Sequence, residues 1–109
     1  MSSINLTRKE MFTRIKYFLK KKRMTATDLS RELGHEKTYL SRVERGVIEF
    51  NFSTFYAILD YLNITTFEFF YPDLEGFNDD INFLDLYKSL PDEEKHKLYR
   101  NIYLKIHTN

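Results

Sequence analysis

The sequence predicts an all-α protein, with a five-helix domain over residues 1–71, a connecting loop over 72–78 and a C-terminal αα-hairpin over 79–109. Three observations favour this fold class. Apolar residues recur at steps of three and four, as on one face of a helix. No stretch shows the sustained two-residue alternation of a half-buried strand. Residues that typically start or end helices stand at both ends of the periodic stretches.

The first two helices are indicated by their apolar faces and their caps. We expect the first over about residues 7–22. Its apolar face would carry Met11, Ile15, Phe18 and Leu19. The second should begin at Ala26, because Thr25 and Asp28 have the spacing of a capping box. Its buried pair would be Leu29 and Leu33. Gly34 stands where a left-handed residue commonly ends a helix.

The third and fourth helices follow the same logic. The third should turn Leu40 and Val43 inward and end at Gly46. A loop over 47–52 then leads to Ser53, which we expect to cap the fourth helix, and Asn63 should end that helix. The expected buried face of the fourth helix is Phe55, Ile58, Leu59 and Leu62.

A second capping signature predicts the fifth helix. Thr65 and Glu68 have the spacing of a capping box, and Ile64 and Phe69 are placed to form a hydrophobic staple around it. The five-helix domain should therefore end near Tyr71.

The C-terminal segment is expected to form two more helices. Pro, Gly, Asp and Asn crowd together over residues 72–78, which indicates a loop. Pro91 then separates two apolar stripes and opens the final helix. The stripes are Ile81, Leu84, Tyr87 and Leu90, followed by Leu98, Ile102 and Ile106. Such a hairpin must bury its apolar face either on the core of the domain or on a second copy of the chain.

The composition excludes several kinds of site. The chain has no Cys, so it has no disulfide, thiolate nucleophile or cysteine-ligated zinc. Its three histidines, His35, His96 and His107, lack ligand spacing and have no obvious nucleophile nearby. We therefore expect no catalytic residue, no metal and no cofactor, and do not expect an enzyme.

Membrane segments are also not predicted. No stretch approaches the roughly 18 apolar residues that span a bilayer, and the first residues lack the apolar run of a secretion signal. We expect a cytoplasmic protein without a membrane partner.

The charge is distributed unevenly along the chain. The formal net charge is only +1, but residues 1–46 carry twelve Lys and Arg against five acids, whereas the remainder carries five against eleven. An N-terminal half with a net charge of +7 is suited to a polyanion. The basic run at residues 20–23 either contributes to such binding or is only a solvated helix end.

The second and third helices have the layout of a helix-turn-helix, with a tight glycine-containing turn and a polar outer side on the second member. The segments MTATDLSRELG at 24–34 and TYLSRVERG at 38–46 resemble the lambda-repressor-like (Xre/Cro) helix-turn-helix family. The resemblance covers about residues 8–71. It implies a five-helix domain that usually binds double-stranded operator DNA as a dimer.

Three side chains are predicted to read DNA bases. Lys37 and Thr38 lie near the start of the third helix, and Arg42 lies one turn beyond Thr38, so all three can point away from the core. Arg and Lys match the acceptors of guanine, and Thr can donate to a base or touch a thymine methyl. The matching positions commonly read bases in the family that the sequence resembles. The alternative is that they are merely solvated polar residues.

Six further residues are candidate phosphate contacts. Thr25 and Thr27 lie at the positive start of the second helix, although Thr25 is at least as well explained as a cap for its own helix. The other four are Arg23, Tyr39, Ser41 and Arg45. Arg23 and Arg45 flank the motif and would act through charge, whereas Tyr39 is expected to be partly buried and Ser41 could read a base instead.

The sequence departs from the family pattern at three places. Ala26 stands where many members have Gln, and residues 47–49 form an apolar and acidic loop where basic residues are common. Leu19 occupies a place often held by an Arg that pairs with the glutamate matching Glu44, which leaves the partner of Glu44 open. The apolar residues of the loop either pack in the core or meet a protein, and we expect core packing for Phe52. These residues are Val47, Ile48, Phe50 and Phe52.

These observations predict a sequence-specific DNA-binding transcriptional regulator. We expect a repressor that binds a two-fold operator as a homodimer, with the hairpin as the candidate dimerisation element. The alternative is a protein-interaction module, such as an antitoxin or an inhibitory partner, that retains the helix-turn-helix core and holds a protein partner through the C-terminal hairpin.

Overall fold

The computed structural model describes residues 6–108, and it confirms the all-α fold class. These residues form seven helices and divide into two compact units, an N-terminal unit that ends at Pro72 and a hairpin unit that starts at Asp73. The helices of the N-terminal unit are α1 (Arg8–Lys21), α2 (Ala26–Glu32), α3 (Tyr39–Glu44), α4 (Phe52–Leu62) and α5 (Thr66–Phe69). The hairpin unit contains α6 (Phe77–Lys88) and α7 (Asp92–His107).

Helix α1 forms one wall of the N-terminal core. The side chain of Thr7 caps it by accepting a hydrogen bond from the backbone N–H of Glu10 at 3.2 Å. Its buried residues are Phe12, Ile15, Phe18 and Leu19. The predicted face contained Met11 instead of Phe12, but Met11 is only half-buried. The two residues are neighbours at the edge of the apolar sector, and the larger ring of Phe12 packs inward against Phe50.

Aromatic rings occupy the centre of the same core. Phe69 of α5 is fully buried, and its ring centroid lies 5.0 Å from that of Phe55 and 6.2 Å from that of Phe18. The short helix α5 is tied to α1 by Arg14, whose guanidinium donates to the carbonyl oxygens of Phe69 and Tyr71, both at 2.7 Å. These two bonds satisfy carbonyl groups at the end of α5 that have no partner within the helix.

The start of α2 confirms the predicted capping box. Thr25 Oγ1 accepts from the backbone N–H of Asp28, and the Asp28 carboxylate accepts from the backbone N–H of Thr25, both at 3.0 Å. Leu29 is fully buried as predicted, whereas Leu33 is only half-buried because α2 ends at Glu32 and Leu33 lies at its cap. Gly34 has a φ of +84°, which confirms the left-handed turn.

A buried serine joins α2 to α3. The hydroxyl of Ser30 donates to the carbonyl oxygen of Ala26 at 2.8 Å and accepts from the backbone N–H of Leu40 at 3.1 Å. Ser30 has no exposed surface, so water cannot replace the second bond. The hydroxyl thus supplies a partner for an amide at the start of α3 that no helical carbonyl reaches.

Helix α3 is held from its inner side. Leu40 and Val43 are buried, as predicted, and Gly46 ends the helix with a φ of +80°. The guanidinium of Arg8 lies against Gly46, where a Cβ atom would stand only 2.5 Å from its Nη1. Gly46 is therefore favoured by its left-handed backbone angle, whereas the flexible Arg8 side chain can move away from a Cβ atom.

The start of α4 differs from the prediction. The expected cap was Ser53, but Asn51 caps the helix by accepting from the backbone N–H of Thr54 at 2.9 Å, so the helix begins at Phe52, two residues earlier than predicted. Asn is at least as good a cap as Ser, so Asn51, which comes first along the chain, can start the helix. The end of the helix is as predicted, because Asn63 adopts a left-handed conformation with a φ of +54°. Thr65 likewise caps α5 by accepting from the backbone N–H of Glu68.

The hairpin unit has no buried residue in either of its helices. Helix α6 begins at Phe77, two residues before the predicted start of the hairpin, and Pro91 directly precedes α7. The two helices enclose a groove of about 270 Å³. Its apolar lining consists mainly of Phe83, Leu84, Tyr87, Tyr99, Ile102, Tyr103 and Ile106. Many of these side chains are about half exposed, so the apolar face of the hairpin unit is far from covered within that unit.

Within residues 6–108, no helix is long and apolar enough to cross a membrane. No group of three or more His, Asp or Glu side chains within the same residues is arranged to hold a metal ion.

We predict that Ser30→Ala lowers the free energy of unfolding by about 1–3 kcal/mol, because the backbone N–H of Leu40 would then be buried without a partner. Urea denaturation followed by circular dichroism measures the change. The control is Ser53→Ala on the exposed side of α4, for which we expect a change within about 0.5 kcal/mol. Equal stabilities for the two variants would contradict the role of the Ser30 hydroxyl.

Candidate nucleic-acid interface

The outer side of α3 and the turn before it form an exposed polar surface. Lys37 and Thr38 are exposed and lie in this turn, and Thr38 is the residue that precedes α3. The predicted helix included Lys37, but the first helical residue is Tyr39. Arg42 lies one turn further, with its backbone N–H bonded to the carbonyl of Thr38 at 3.0 Å and its side chain 41% exposed. Three polar side chains therefore flank a helix whose opposite side is in the core. We call this surface the reading surface.

A glutamate that the sequence analysis did not single out connects two of these residues. Glu36 Oε1 accepts a hydrogen bond from Arg42 Nη1 at 2.9 Å and another from the Thr38 hydroxyl at 3.2 Å. Glu36 and Arg42 are six residues apart and separated by a turn, so no helical spacing rule pairs them. The only signal in the sequence is an acid directly before the predicted base-reading residues.

The capping box determines what Thr25 can offer a phosphate. The Thr25 hydroxyl already accepts from the backbone N–H of Asp28, so the capping role anticipated for it is present. Its own backbone N–H donates to the Asp28 carboxylate, and this bond holds the pKa of Asp28 below its ordinary value. Thr27, the other predicted phosphate contact on α2, is half-buried.

The remaining predicted phosphate contacts have different environments. Tyr39 is mostly buried, its ring stacks on His35 with centroids 3.7 Å apart, and its hydroxyl lies 3.2 Å from the hydroxyl of Thr54. Ser41 on α3 and Arg45 beside its end are exposed. The Ser41 hydroxyl donates to the carbonyl oxygen of Thr38, and Arg45 Nε donates to that of Ser41. Arg23 is exposed in the connection before α2 and has a left-handed backbone with a φ of +57°.

The partner of Glu44, left open by the sequence, is Lys16. Its Nζ lies 2.6 Å from Glu44 Oε2, which links α3 to α1. Leu19, at the position where the family commonly has an arginine, is buried in the core instead. The lysine one turn earlier on the same helix thus provides the cation, although both side chains are partly exposed and such a pair contributes little to stability.

The loop after α3 corrects one expectation. Phe52 was expected to pack in the core, but it is 79% exposed, and Phe50 takes the inner place between Phe12 and Phe55. Since α4 begins at Phe52, that ring lies one turn before Tyr56 and stacks on it along the outside of the helix.

These exposed rings belong to an apolar groove of about 630 Å³ on the N-terminal unit. The groove is lined by Met11, Glu49, Phe50, Asn51, Phe52, Phe55, Tyr56, Thr66 and Phe70. It includes none of the residues that form the reading surface.

Comparison with known proteins identifies the class to which this arrangement belongs. A family model described as helix-turn-helix matches residues 15–69, which is about half of the chain. The chain belongs to this lambda-repressor-like (Xre/Cro) helix-turn-helix family and is a DNA-binding helix-turn-helix regulator. No curated protein and no solved structure matches it.

We predict that the pKa of Asp28 lies below its ordinary value of 3.8, because the backbone N–H of Thr25 stabilises the carboxylate. At pH values above this ordinary pKa, the ionised Asp28 carboxylate stabilises the folded state. That stabilisation is lost as the pH falls through the lowered pKa of the folded protein. An NMR titration of the Asp28 carboxyl measures the pKa. Asp28→Asn should remove this part of the acid dependence of stability, and titration of Asp28 at or above its ordinary value would contradict the prediction.

Proposed function

We propose that the protein is a sequence-specific transcriptional regulator, acting as a repressor, that reads a DNA major groove with α3 and the turn before it. The observation that carries the proposal is the polar trio of exposed Lys37 and Thr38 and half-exposed Arg42 on the outer side of a family-matched helix-turn-helix. Guanidinium and ammonium groups match the N7 and O6 acceptors of guanine, and the hydroxyl suits either a base edge or a thymine methyl.

Phosphate contacts would then fix the orientation of the reading surface on the duplex. Arg23 and Arg45 are exposed cations on either side of the motif, and Ser41 is an exposed hydroxyl between them in sequence. Three further residues remain candidate phosphate contacts with less surface to offer. The Thr25 hydroxyl already accepts a hydrogen bond, Thr27 is half-buried and Tyr39 is mostly buried. Such contacts position the protein and contribute affinity that depends on salt concentration rather than on sequence.

We propose further that the protein binds DNA as a homodimer on a two-fold operator. A dimer can place two reading helices about one turn of DNA apart, or ~34 Å. Repression would follow from occupancy of a promoter, because a bound dimer excludes other proteins from the same stretch of DNA.

The hairpin unit is the proposed dimerisation element. Two helices without a buried residue do not make a stable core, whereas two copies of the pair can bury both apolar faces in a four-helix arrangement. Charge supports an antiparallel pairing of the two α7 helices. The first turn of α7 contains Asp92, Glu93 and Glu94, and its last turn contains Lys105 and His107, so opposite charges would meet at both ends.

The apolar groove on the N-terminal unit supports a second candidate function. It presents Phe52 and Tyr56 to solvent away from the reading surface, beside the acidic side chain of Glu49. A protein-interaction module, such as an antitoxin or an inhibitory partner, would use a surface of this kind. Partner binding by such a module would survive the double substitution of Lys37 and Arg42 by alanine.

Selection of bound duplexes from a random DNA pool tests the primary proposal. We expect enrichment of a two-fold site, followed by a steep loss of affinity with salt in fluorescence anisotropy titrations. Protein added to a template with the selected site across a promoter should reduce transcription in vitro. Weak, salt-sensitive binding without any enriched sequence would contradict the proposal and favour the interaction module.

Substitution of two arginines distinguishes a base contact from a phosphate contact. Arg42→Ala should weaken binding of the selected duplex by about 1–3 kcal/mol and relax the preference at one base position, whereas Arg45→Ala should weaken binding of all sequences alike. Arg42→Lys keeps the charge but loses the planar fork, and it should also lose the base preference. Equal losses on every sequence for Arg42→Ala would contradict base reading by this residue.

The proposed dimer predicts a single-residue disruption. Ile102→Glu places a charge on the apolar face of α7, so the wild type should sediment as a dimer and the variant as a monomer at micromolar concentration. Asn101→Glu adds the same charge at the exposed neighbouring position and should remain dimeric. Analytical ultracentrifugation gives both masses, and a monomeric wild type or equal masses for the two variants would contradict dimerisation through this face.

A further inference from the structure

We propose that Glu36 determines specificity on the reading surface by accepting a hydrogen bond from a cytosine amino group beside the guanine that Arg42 reads. This inference rests on the proposed function and names one of the base pairs that the site selects. Nothing in the family match assigns a role to this residue.

The turn that precedes α3 holds Glu36 at the edge of the reading surface. Its backbone carbonyl accepts from the backbone N–H of Tyr39 at 3.1 Å, and Tyr39 is anchored in the core. Its carboxylate accepts from Thr38 and Arg42 through the same oxygen, Oε1. The glutamate and the two predicted base-reading side chains therefore form one connected group.

Stability does not explain this group. The side chain of Glu36 is 65% exposed and that of Arg42 is 41% exposed, and ion pairs of this kind contribute little to folding. A carboxylate on a surface that meets DNA also repels the phosphates, so it lowers the affinity for every sequence alike. A role in discrimination between bases gives the carboxylate a function that neither stability nor general DNA affinity provides.

The hydrogen-bonding capacity left in the pair matches a specific arrangement of bases. Arg42 uses one of its five N–H donors on Glu36, and the others can reach the O6 and N7 acceptors of guanine. Among residues 6–108, Glu36 Oε2 accepts no hydrogen bond and so can receive one from DNA. The pair thus offers donors and an acceptor side by side.

Cytosine is the base that fits the acceptor. It presents only its N4 amino donor to the major groove, whereas adenine places its N7 acceptor beside its amino group and would repel the carboxylate. Guanine and thymine present acceptors, which a carboxylate cannot bond. Glu36 is therefore expected to favour cytosine and to reject the other three bases at a position next to the guanine contact.

The ion pair also positions Arg42 before DNA arrives. An arginine that is already held by a carboxylate loses less side-chain freedom on binding, and its fork is oriented by the bond to Oε1. The Thr38 hydroxyl also donates to Oε1, so its hydrogen is engaged and its oxygen can serve the groove as an acceptor.

The test uses the full chain and the duplex selected with the wild type. Each position of one half-site is replaced by the other three bases, and the affinity of every duplex is measured by fluorescence anisotropy at one salt concentration. The variants are Glu36→Gln and, as a matched change of charge, Glu49→Gln on the wall of the apolar groove. Circular dichroism establishes that both variants are folded.

For the wild type, we expect a preference of about tenfold for cytosine at one position next to the guanine read by Arg42. Glu36→Gln should abolish that preference or transfer it to adenine, which glutamine bonds through N6 and N7. It should also weaken the guanine preference, because Arg42 loses its ion pair, and should leave the positions beyond these two unchanged. Glu49→Gln should keep the preference and tighten or leave unchanged the binding of all duplexes equally.

Two results would overturn the inference. One is a Glu36→Gln variant that keeps every base preference and changes affinity uniformly, as expected for Glu49→Gln. The other is a wild type without a cytosine preference at any position beside the guanine. A wild type that binds all duplexes equally is a different failure, because it contradicts the proposed function itself.

Discussion

The presentation of α3 depends on the buried bond between the Ser30 hydroxyl and the backbone N–H of Leu40. The helix has only six residues, and a helix this short is not stable in water by itself. It exists because Leu40 and Val43 pack into the core and because Ser30 satisfies an amide at its start. A serine at this place does what neither an apolar residue nor a longer polar one can do in the same space: it fills a small gap and supplies an acceptor.

The same arrangement explains why the reading surface can be polar throughout. The buried groups that hold α3 lie on its inner side and at its start, namely Leu40, Val43 and the Ser30 hydroxyl. The outer side contributes little to folding, so its residues are free to be chosen for recognition. If these residues read bases as proposed, Lys37, Thr38, Arg42 and Glu36 can vary with the DNA sequence while the scaffold remains unchanged.

Local signals in the sequence predicted most of the fold, because caps and turn glycines act within a few residues. Thr25, Gly34, Gly46 and Asn63 all have the predicted roles. Errors arose where two local choices competed or where the partner was distant. Asn51 and Ser53 are both good caps, and choosing the wrong one also misplaced Phe52. The Glu36–Arg42 and Lys16–Glu44 pairs join residues across a turn or between helices, which periodicity along one helix does not describe.

The shortness of α3 limits how much information one copy can read. Six residues rise about 9 Å along the helix axis, which is the length of roughly three base pairs. A given triplet recurs by chance about once in 64 positions, whereas a genome offers about a million or more competing sites. In the proposed function, selectivity on that scale comes from two copies acting on one stretch of DNA rather than from a better fit of any single helix. The surface proposed to bring two copies together would therefore matter as much for choosing the operator as the side chains proposed to touch the bases.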